Sequence, residues 1–354
     1  MTKVCITVDL ECSIGGAFRD PTLVPVGDQA VWCMIQGRSE GLRFILETLK
    51  AESISGTFFL ETNHTHYFKV SPVGNAAKRV RADGHDVQLH VHPCWSYFQY
   101  ADWRVRCHDH HKLDNFVGLS VDEIVKIVQY GRYIFDDWQL PTPTVFRSGN
   151  LQHDDNLYCA LSQCGIQSSS NIGLGVFNSG LPQYQLYSGH QVFHGVREFP
   201  LLTYEDGLRW GTPSLKCLTI TGTSFSETCA LLKQAEAQDV PLVVILTHPS
   251  EFIQKSDGQY SVMRRHWINQ RRLQRLARFL RHNRSRFPCI GMAEASAEFA
   301  DQPTHQNALL QTPFLSSVLR KASNGTYDKL GALAFKWEQM HLPHGAAASE
   351  KSRH

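Results

Sequence analysis

Two short segments carry carboxylates and imidazoles in a spacing that lets them share one ion. Asp9 and Glu11, in Thr7-Val8-Asp9-Leu10-Glu11, are spaced i, i+2 at the end of an apolar run. His90 and His92, in Gln88-Leu89-His90-Val91-His92-Pro93, repeat that spacing. Strand pleating turns such a pair to one face. Two carboxylates and two imidazoles supply the oxygen and nitrogen ligands that a divalent cation such as zinc accepts, with one carboxylate left for proton transfer. Neither Asp nor Glu is a usual strand residue, which favours a functional role over a structural one.

Two further residues stand at strand ends. Arg147, in Phe146-Arg147-Ser148-Gly149-Asn150, follows an apolar run and precedes a glycine turn, a setting for a planar fork that holds a carboxylate. His248, in Leu246-Thr247-His248-Pro249, closes a run too apolar for the surface and reads as a hydrogen-bonded core residue or an acid-base group. His64 and His66 are placed to line the same mouth. The cluster Cys107-His108-Asp109-His110-His111 has ligand residue types, but neighbours on an irregular loop cannot all face one ion, so it reads as solvated loop.

The elements that must position these residues follow from periodicity. Short apolar runs at 4–8, 56–60, 86–90, 144–147, 166–170, 197–201, 242–247 and 288–292 read as strands. Between them lie helical patterns at 41–51, from Ser120 with Glu123 as a capping box, at 152–164 stopped by Gly165, at 226–238 and at 263–281. This alternation predicts βα units around a mainly parallel sheet or barrel, whose C-terminal strand ends then gather Asp9, Glu11, His90, His92, Arg147 and His248 on one rim. Residues 172–196, rich in Gly, Ser, Asn and Gln, read as a long loop or hairpin insertion at that mouth. Residues 306–322 and 327–340 have helical spacing, and 341–354 read as a frayed tail. The expected division is a barrel domain over 1–300, a helical extension over 301–340 packed on it, and a flexible tail.

Composition sets the outer bounds. A chain of 354 residues with 42% hydrophobic content can bury a large core, and a formal net charge of +2 gives no reason to invoke nucleic acid. Nine arginines between 264 and 286 fit the outer face of an amphipathic helix, an electrostatic patch for an anionic substrate carrier being the alternative. The ten cysteines form no Cys-x-x-Cys pair, which fits reduced thiols. No leader pattern and no apolar run of spanning length are visible, so a soluble cytoplasmic protein is expected. Oligomeric state is left open.

Taken in order, Thr7-Val8-Asp9-Leu10-Glu11, Gly56-Thr57-Phe58-Phe59, the segment from Gly84 to His92, Arg147, Ser168-Ser169-Ser170 and Leu246-Thr247-His248-Pro249 resemble the motifs of the polysaccharide deacetylase family, the NodB-homology or carbohydrate esterase family 4 group. The resemblance runs over roughly 4–299. It implies a distorted (β/α) barrel of seven or eight mainly parallel strands and a metal-dependent hydrolase that removes N-acetyl or O-acetyl groups from an amino-sugar-containing glycan. It implies Asp9 as catalytic base, Glu11 and His90 as metal ligands, Arg147 orienting the base and His248 as the acid. The cofactor implied is a divalent metal, Zn2+ first, with Co2+, Ni2+ or Mn2+ as alternatives.

Two positions depart from the family pattern. Leu10 stands where a second Asp is common, the carboxylate moving to Glu11, and Cys94 stands where the second histidine is usual, four residues after His90. His92 is therefore assigned as the third ligand, with Cys94 as the alternative. Trp95, Asn150, Ser170 and His64 are the expected substrate contacts, Trp95 heading an aromatic run with Tyr97, Phe98, Tyr100 and Trp103 that suits sugar stacking or a buried core. A small-amide hydrolase on the same scaffold, or a glycan-binding protein with impaired catalysis, are the competing expectations.

Overall fold

The computed structural model describes residues 1–107, 114–207, 214–304 and 307–341. Eight strands form the central sheet: β1 (Lys3–Leu10), β2 (Thr57–Glu61), β3 (Asp86–Val91), β4 (Val145–Ser148), β5 (Ser168–Ser169), β6 (Gln191–Phe193), β7 (Val196–Glu198) and β8 (Leu242–Thr247). Their lateral order is β8-β1-β2-β3-β4-β5-β7-β6, and every pair is parallel except the β6–β7 hairpin at one edge. β1 and β8 pair with each other and have both faces covered. That is why their sequences, Val-Cys-Ile-Thr-Val and Leu-Val-Val-Ile-Leu, are continuously apolar rather than alternating.

The sheet curls into a half-barrel that closes only through single parallel bridges, Leu201 to Val244 and Thr219 to Leu246, on the free side of β8. Pro200 has no amide hydrogen, so the ladder that runs through β7 cannot continue. The strand expected over 197–201 is thereby cut to β7 and one bridge.

Helices α1 (Leu42–Ala51), α2 (Pro72–Ala82), α3 (Val121–Asp137), α4 (Asp155–Gln163), α5 (Phe225–Ala237), α6 (Trp267–His282), α7 (Met292–Glu298) and α8 (Phe314–His341) accompany the sheet. The Ser120–Glu123 capping box at α3 forms as expected, with Ser120 N donating to Glu123 Oε2 at 2.8 Å. α2 escaped the periodicity reading because its buried face, Val73, Ala76, Ala77 and Val80, is small.

Two expectations are corrected and one is met in part. Residues 288–292 are not a strand. Cys289 makes one bridge to Val4, after which Met292 N donates to Thr57 Oγ1 (2.8 Å) and Ala293 N to Asp86 Oδ2 (3.1 Å), so that two side chains from the sheet cap the start of α7. Residues 172–196 are the expected long loop with a hairpin arm. They cross from the end of β5 to the start of β7 and contribute the antiparallel β6 on the way. The two helical segments expected over 306–322 and 327–340 are one helix, α8, that begins only at Phe314: Leu310 and Gln311 pair as a short strand with Tyr204 and Glu205, and Asn324, within the stretch that reads as a break, accepts from Arg272 Nη2 at 2.6 Å.

α8 is fastened to the sheet-bearing part by buried charge. Arg320 Nε donates to Glu227 Oε2 (2.9 Å) and its Nη2 to Asp206 Oδ2 (2.7 Å), with all three side chains buried. Among the described residues no helix is long and apolar enough to cross a membrane. His108 to His111, the discounted ligand-like cluster, lie outside the described residues.

Candidate active site

Parallel strand direction and i, i+2 pleating bring the end of β1, the end of β3 and the turn after β8 to one rim. Glu11 Oε2 lies 3.2 Å from His90 Nε2 and 3.0 Å from His92 Nε2, so one carboxylate oxygen and two imidazole nitrogens converge. Asp9 sits beside them. Its Oδ2 is 4.0 Å from His90 Nε2 and 3.9 Å from His248 Nε2.

Each imidazole is oriented from behind. His90 Nδ1 donates to the carbonyl of Arg147 at 2.9 Å, and His92 Nδ1 donates to Asp114 Oδ2 at 2.8 Å. With both Nδ1 atoms engaged, both Nε2 atoms point at Glu11, the arrangement that metal-binding histidines need. The β4 turn presses against the His92 ring at Gly149, where a Cβ would overlap the imidazole. Asn150 and Leu151 then adopt left-handed backbone (φ 55° and 56°), which brings Asn150 Nδ2 to 2.7 Å from Asp114 Oδ2.

This donor set fits a divalent cation. Hard oxygen and borderline nitrogen donors suit zinc and its neighbours, and the outer hydrogen bonds that fix the ring tautomers are in place. Burial disfavours charge on Glu11, but the His92, His90 and His248 rings around it hold its carboxyl well below the usual range. His92 is pushed the other way: burial opposes its proton, yet Asp114 and Glu11 on either side hold it well above the ordinary imidazole value.

Arg147 is fully buried with its donors spent inside the protein. Nη1 donates to Asp9 Oδ1 (2.7 Å) and Thr7 Oγ1 (2.9 Å), Nη2 to Ser170 Oγ (2.9 Å), Nε to the Ser170 carbonyl (3.1 Å), and the guanidinium lies 4.1 Å from the Phe59 ring centroid. Asp9 is thus pinned by one oxygen while the other faces the site. His248 Nδ1 donates to Glu251 Oε1 at 3.0 Å, and Thr247 Oγ1 donates to the other oxygen of Glu251 at 2.7 Å. Burial works against a charged His248, but Glu251, Glu11 and Asp9 outweigh it and push it up to about 9.

Glu11, His92, Cys94, Trp95, Asp114 and His248 line a cavity of about 220 Å³. Cys94 does not meet Glu11 and His90. It groups with His92 and Asp114, and burial together with the Asp114 carboxylate pushes its thiol well up. Trp95 is 1% exposed, packed against Phe98, His64 and Phe68, and lines the cavity as part of its buried wall. Asn150 is exposed beside the site.

Two expected substrate contacts are not at the mouth. Ser170 is buried behind Arg147, and His64 is buried with Nδ1 on Glu61 Oε2 and Nε2 on Ser71 Oγ, both at 2.8 Å, because the buried Glu61 needs partners. Conversely, Glu251 and Asp114 escaped the sequence reading. The i, i+3 spacing of His248 and Glu251 was a usable signal; Asp114, 22 residues from His92, offered none.

Fold and rim together define a mainly parallel half-barrel whose strand ends gather a carboxylate, a histidine and a Glu-His-His group that could hold a metal ion. Residues 32–169 match the polysaccharide deacetylase family model, which bears out the resemblance carried by the motifs. The matched span holds His90, His92 and Arg147, while Asp9, Glu11 and His248 flank it. Among solved structures, a candidate polysaccharide deacetylase from Mycobacterium smegmatis is similar at 13% identity and TM-score 0.51, over 87% of this chain and 93% of that one, which establishes a common fold. A family 4 acetyl xylan esterase from Clostridium thermocellum, in complex with a cobalt ion, matches at 12% identity and TM-score 0.41 over 84% and 91% of the two chains. A CE4 family pseudoenzyme from Bacillus anthracis matches at 14% identity and TM-score 0.40 over 83% and 65%. A comparison with curated proteins finds no match.

Proposed function

We propose that this protein is a metal-dependent deacetylase that hydrolyses the acetamido (or acetyl ester) group of a carbohydrate. The observation that carries the reading is the convergence of Glu11 Oε2, His90 Nε2 and His92 Nε2, with Asp9 Oδ2 4.0 Å from the same His90 nitrogen. A divalent cation held by Glu11, His90 and His92 would supply Lewis acidity at the acetyl carbonyl and a water acidic enough to react near neutral pH.

The chain's own groups account for the protons. Arg147, itself held by Thr7 Oγ1, fixes Asp9 through Oδ1, so Asp9 Oδ2 is the oxygen free to take the proton of the attacking water. His248, protonated up to about 9 by its carboxylate neighbours, carries the proton needed by the departing amine on Nε2 while Nδ1 stays on Glu251. The base and the acid are thereby separated by environment: one carboxylate neutralised by a buried guanidinium, one imidazole held cationic by carboxylates.

Acetate release from a panel of N-acetylated oligosaccharides, O-acetylated xylan and small amides tests the reading. Release from a carbohydrate, abolished by chelator and restored by Zn2+ or Co2+, is expected. Release that chelator leaves unchanged, or release from the small amides alone, would overturn it.

A further inference from the structure

α8 has two opposite faces. One is buried: Ser317, Arg320 and Gly331 pack against the rest of the protein, and Arg320 makes its ion pairs with Glu227 and Asp206 there. The other carries Leu315, Leu319, Leu330 and Leu333, exposed at 73%, 69%, 60% and 63%, with the exposed Ala322 and Thr326 between them. Steps of three and four residues keep these six positions in one row along the helix. From Leu315 to Leu333 the row runs about 27 Å at about 1.5 Å per residue. Leucines left in water over that length mark an interaction surface.

Both sides of the row are basic. On one side Lys329 and Lys336, three residues after Thr326 and Leu333, are exposed. On the other, Ser323, four residues after Leu319, lines a cavity of about 350 Å³ between α8, the start of α5 and α6. Arg271, Arg272 and Arg275 of α6 line it together with Ser224 and Ser226, and no carboxylate does. Arg272 is 7% exposed and donates to the Thr221 carbonyl and to Asn324 Oδ1, both at 2.6 Å, which fastens α6 to α8 and sets the cavity beside the row. Arg275 lies 4.2 Å from the Phe225 ring centroid. Arg271 and Arg275 are exposed one helical turn apart, and among the described residues neither pairs with a carboxylate, so their repulsion is left for an outside anion to offset. Between Phe314 and Lys336 the helix carries one acid, Asp328, which stands two residues from Thr326 and from Leu330 and therefore off the row.

We infer that the outer face of α8 and the adjoining arginine cavity dock on an anionic phospholipid surface, the leucines entering the acyl boundary while the lysines and the cavity of Arg271 and Arg275 take lipid phosphates. An apolar strip between basic borders is the pattern that such a surface selects. A second copy of this chain fits less well, because two such faces brought together set basic border against basic border, and like charges repel. A nucleic acid would engage the arginines but has nothing with which to cover the leucines. This face takes no part in the proposed catalysis, so lipid docking goes beyond the deacetylase reading and does not rest on it.

The test is co-sedimentation of the full-length protein with vesicles of phosphatidylglycerol and, separately, of phosphatidylcholine. Binding to the first is expected to be tighter by about tenfold or more. Arg271→Gln combined with Arg275→Gln weakens it about 25-fold, at about fivefold for each cationic side chain near the surface. Leu319→Ser combined with Leu330→Ser weakens it by about tenfold or more. Both double variants keep the wild-type unfolding midpoint, since all four side chains are exposed; where the leucine pair destabilises the fold, the arginine pair decides alone. No binding to phosphatidylglycerol, equal binding to both vesicles, or binding that survives the arginine pair would overturn the inference. So would a dimer, seen by light scattering without vesicles, that the leucine pair dissociates, since that assigns the face to a second copy. Vesicle binding is read without turnover, so these outcomes leave the deacetylase reading untouched.

Discussion

Replacing Glu251 by Gln removes one negative charge from the outer side of His248 while keeping an oxygen where His248 Nδ1 donates at 3.0 Å. His248 is pushed up to about 9 against the cost of its burial, with Glu251 first among the groups that raise it. Without that charge the imidazole falls back toward its ordinary value of about 6.5. At pH 8 the protonated fraction then drops from about 90% to about 3%, a loss of about 30-fold in a reaction that needs the acid form, whereas at pH 6 the two proteins differ by less than about twofold. The assay is the pH profile of kcat/KM for acetate release, which reports the acid of the free protein. The alkaline limb is expected near pH 9 in the wild type and about 2.5 pH units lower in Glu251→Gln. An unmoved limb, or equal activity at pH 8, would refute the assignment of His248 as the acid tuned by Glu251. Linkage gives the same sign for folding: the stability that His248 gains from its neighbours is fully present below about pH 6.5 and is lost as pH rises through about 9.

Asp9→Asn retains metal by elemental analysis and loses about 10²- to 10⁴-fold in turnover, since the pinned carboxylate no longer accepts a proton. Asp114→Ala releases the His92 ring from behind and weakens metal binding by about 10- to 100-fold, measured by competition with a chromophoric chelator; unchanged affinity would remove His92 from the ligand set. Arg320→Ala strands two buried carboxylates, Glu227 and Asp206, and lowers unfolding stability by about 3–5 kcal/mol in denaturant titration, with α8 becoming the first site of limited proteolysis.

The rim was legible because its determinants are local. Alternation at Asp9 and Glu11, and at His90 and His92, fixes which side chains share a face as soon as the segments are strands, and the parallel order follows from the βα alternation. Arg147 and His248 were legible for the same reason, as polar residues that end apolar strands. His64 and Ser170 were misplaced because proximity to a strand end does not say whether a side chain opens to the mouth or turns inward. In both cases a buried charged group, Glu61 or Arg147, draws the polar side chain to itself. The strand expected over 288–292 failed because an apolar run cannot announce that Gly291 and two capping side chains from distant strands will start a helix there.

The sequence alone determined the fold class, the order of the main strands and the identity of four ligand-type residues at their ends, since periods of two and 3.6 residues and the chemistry of Asp, Glu and His are properties of short segments. Only the tertiary structure decided that His90 and His92 both meet Glu11, that Cys94 turns to Asp114 instead, and that Glu251 faces His248 Nδ1. The first two depend on distances between residues 22 to 81 positions apart, such as His92 with Asp114 and Glu11 with His92, which the folding of intervening chain sets; Glu251 is near His248 in sequence, but only the fold shows its carboxylate turned to Nδ1.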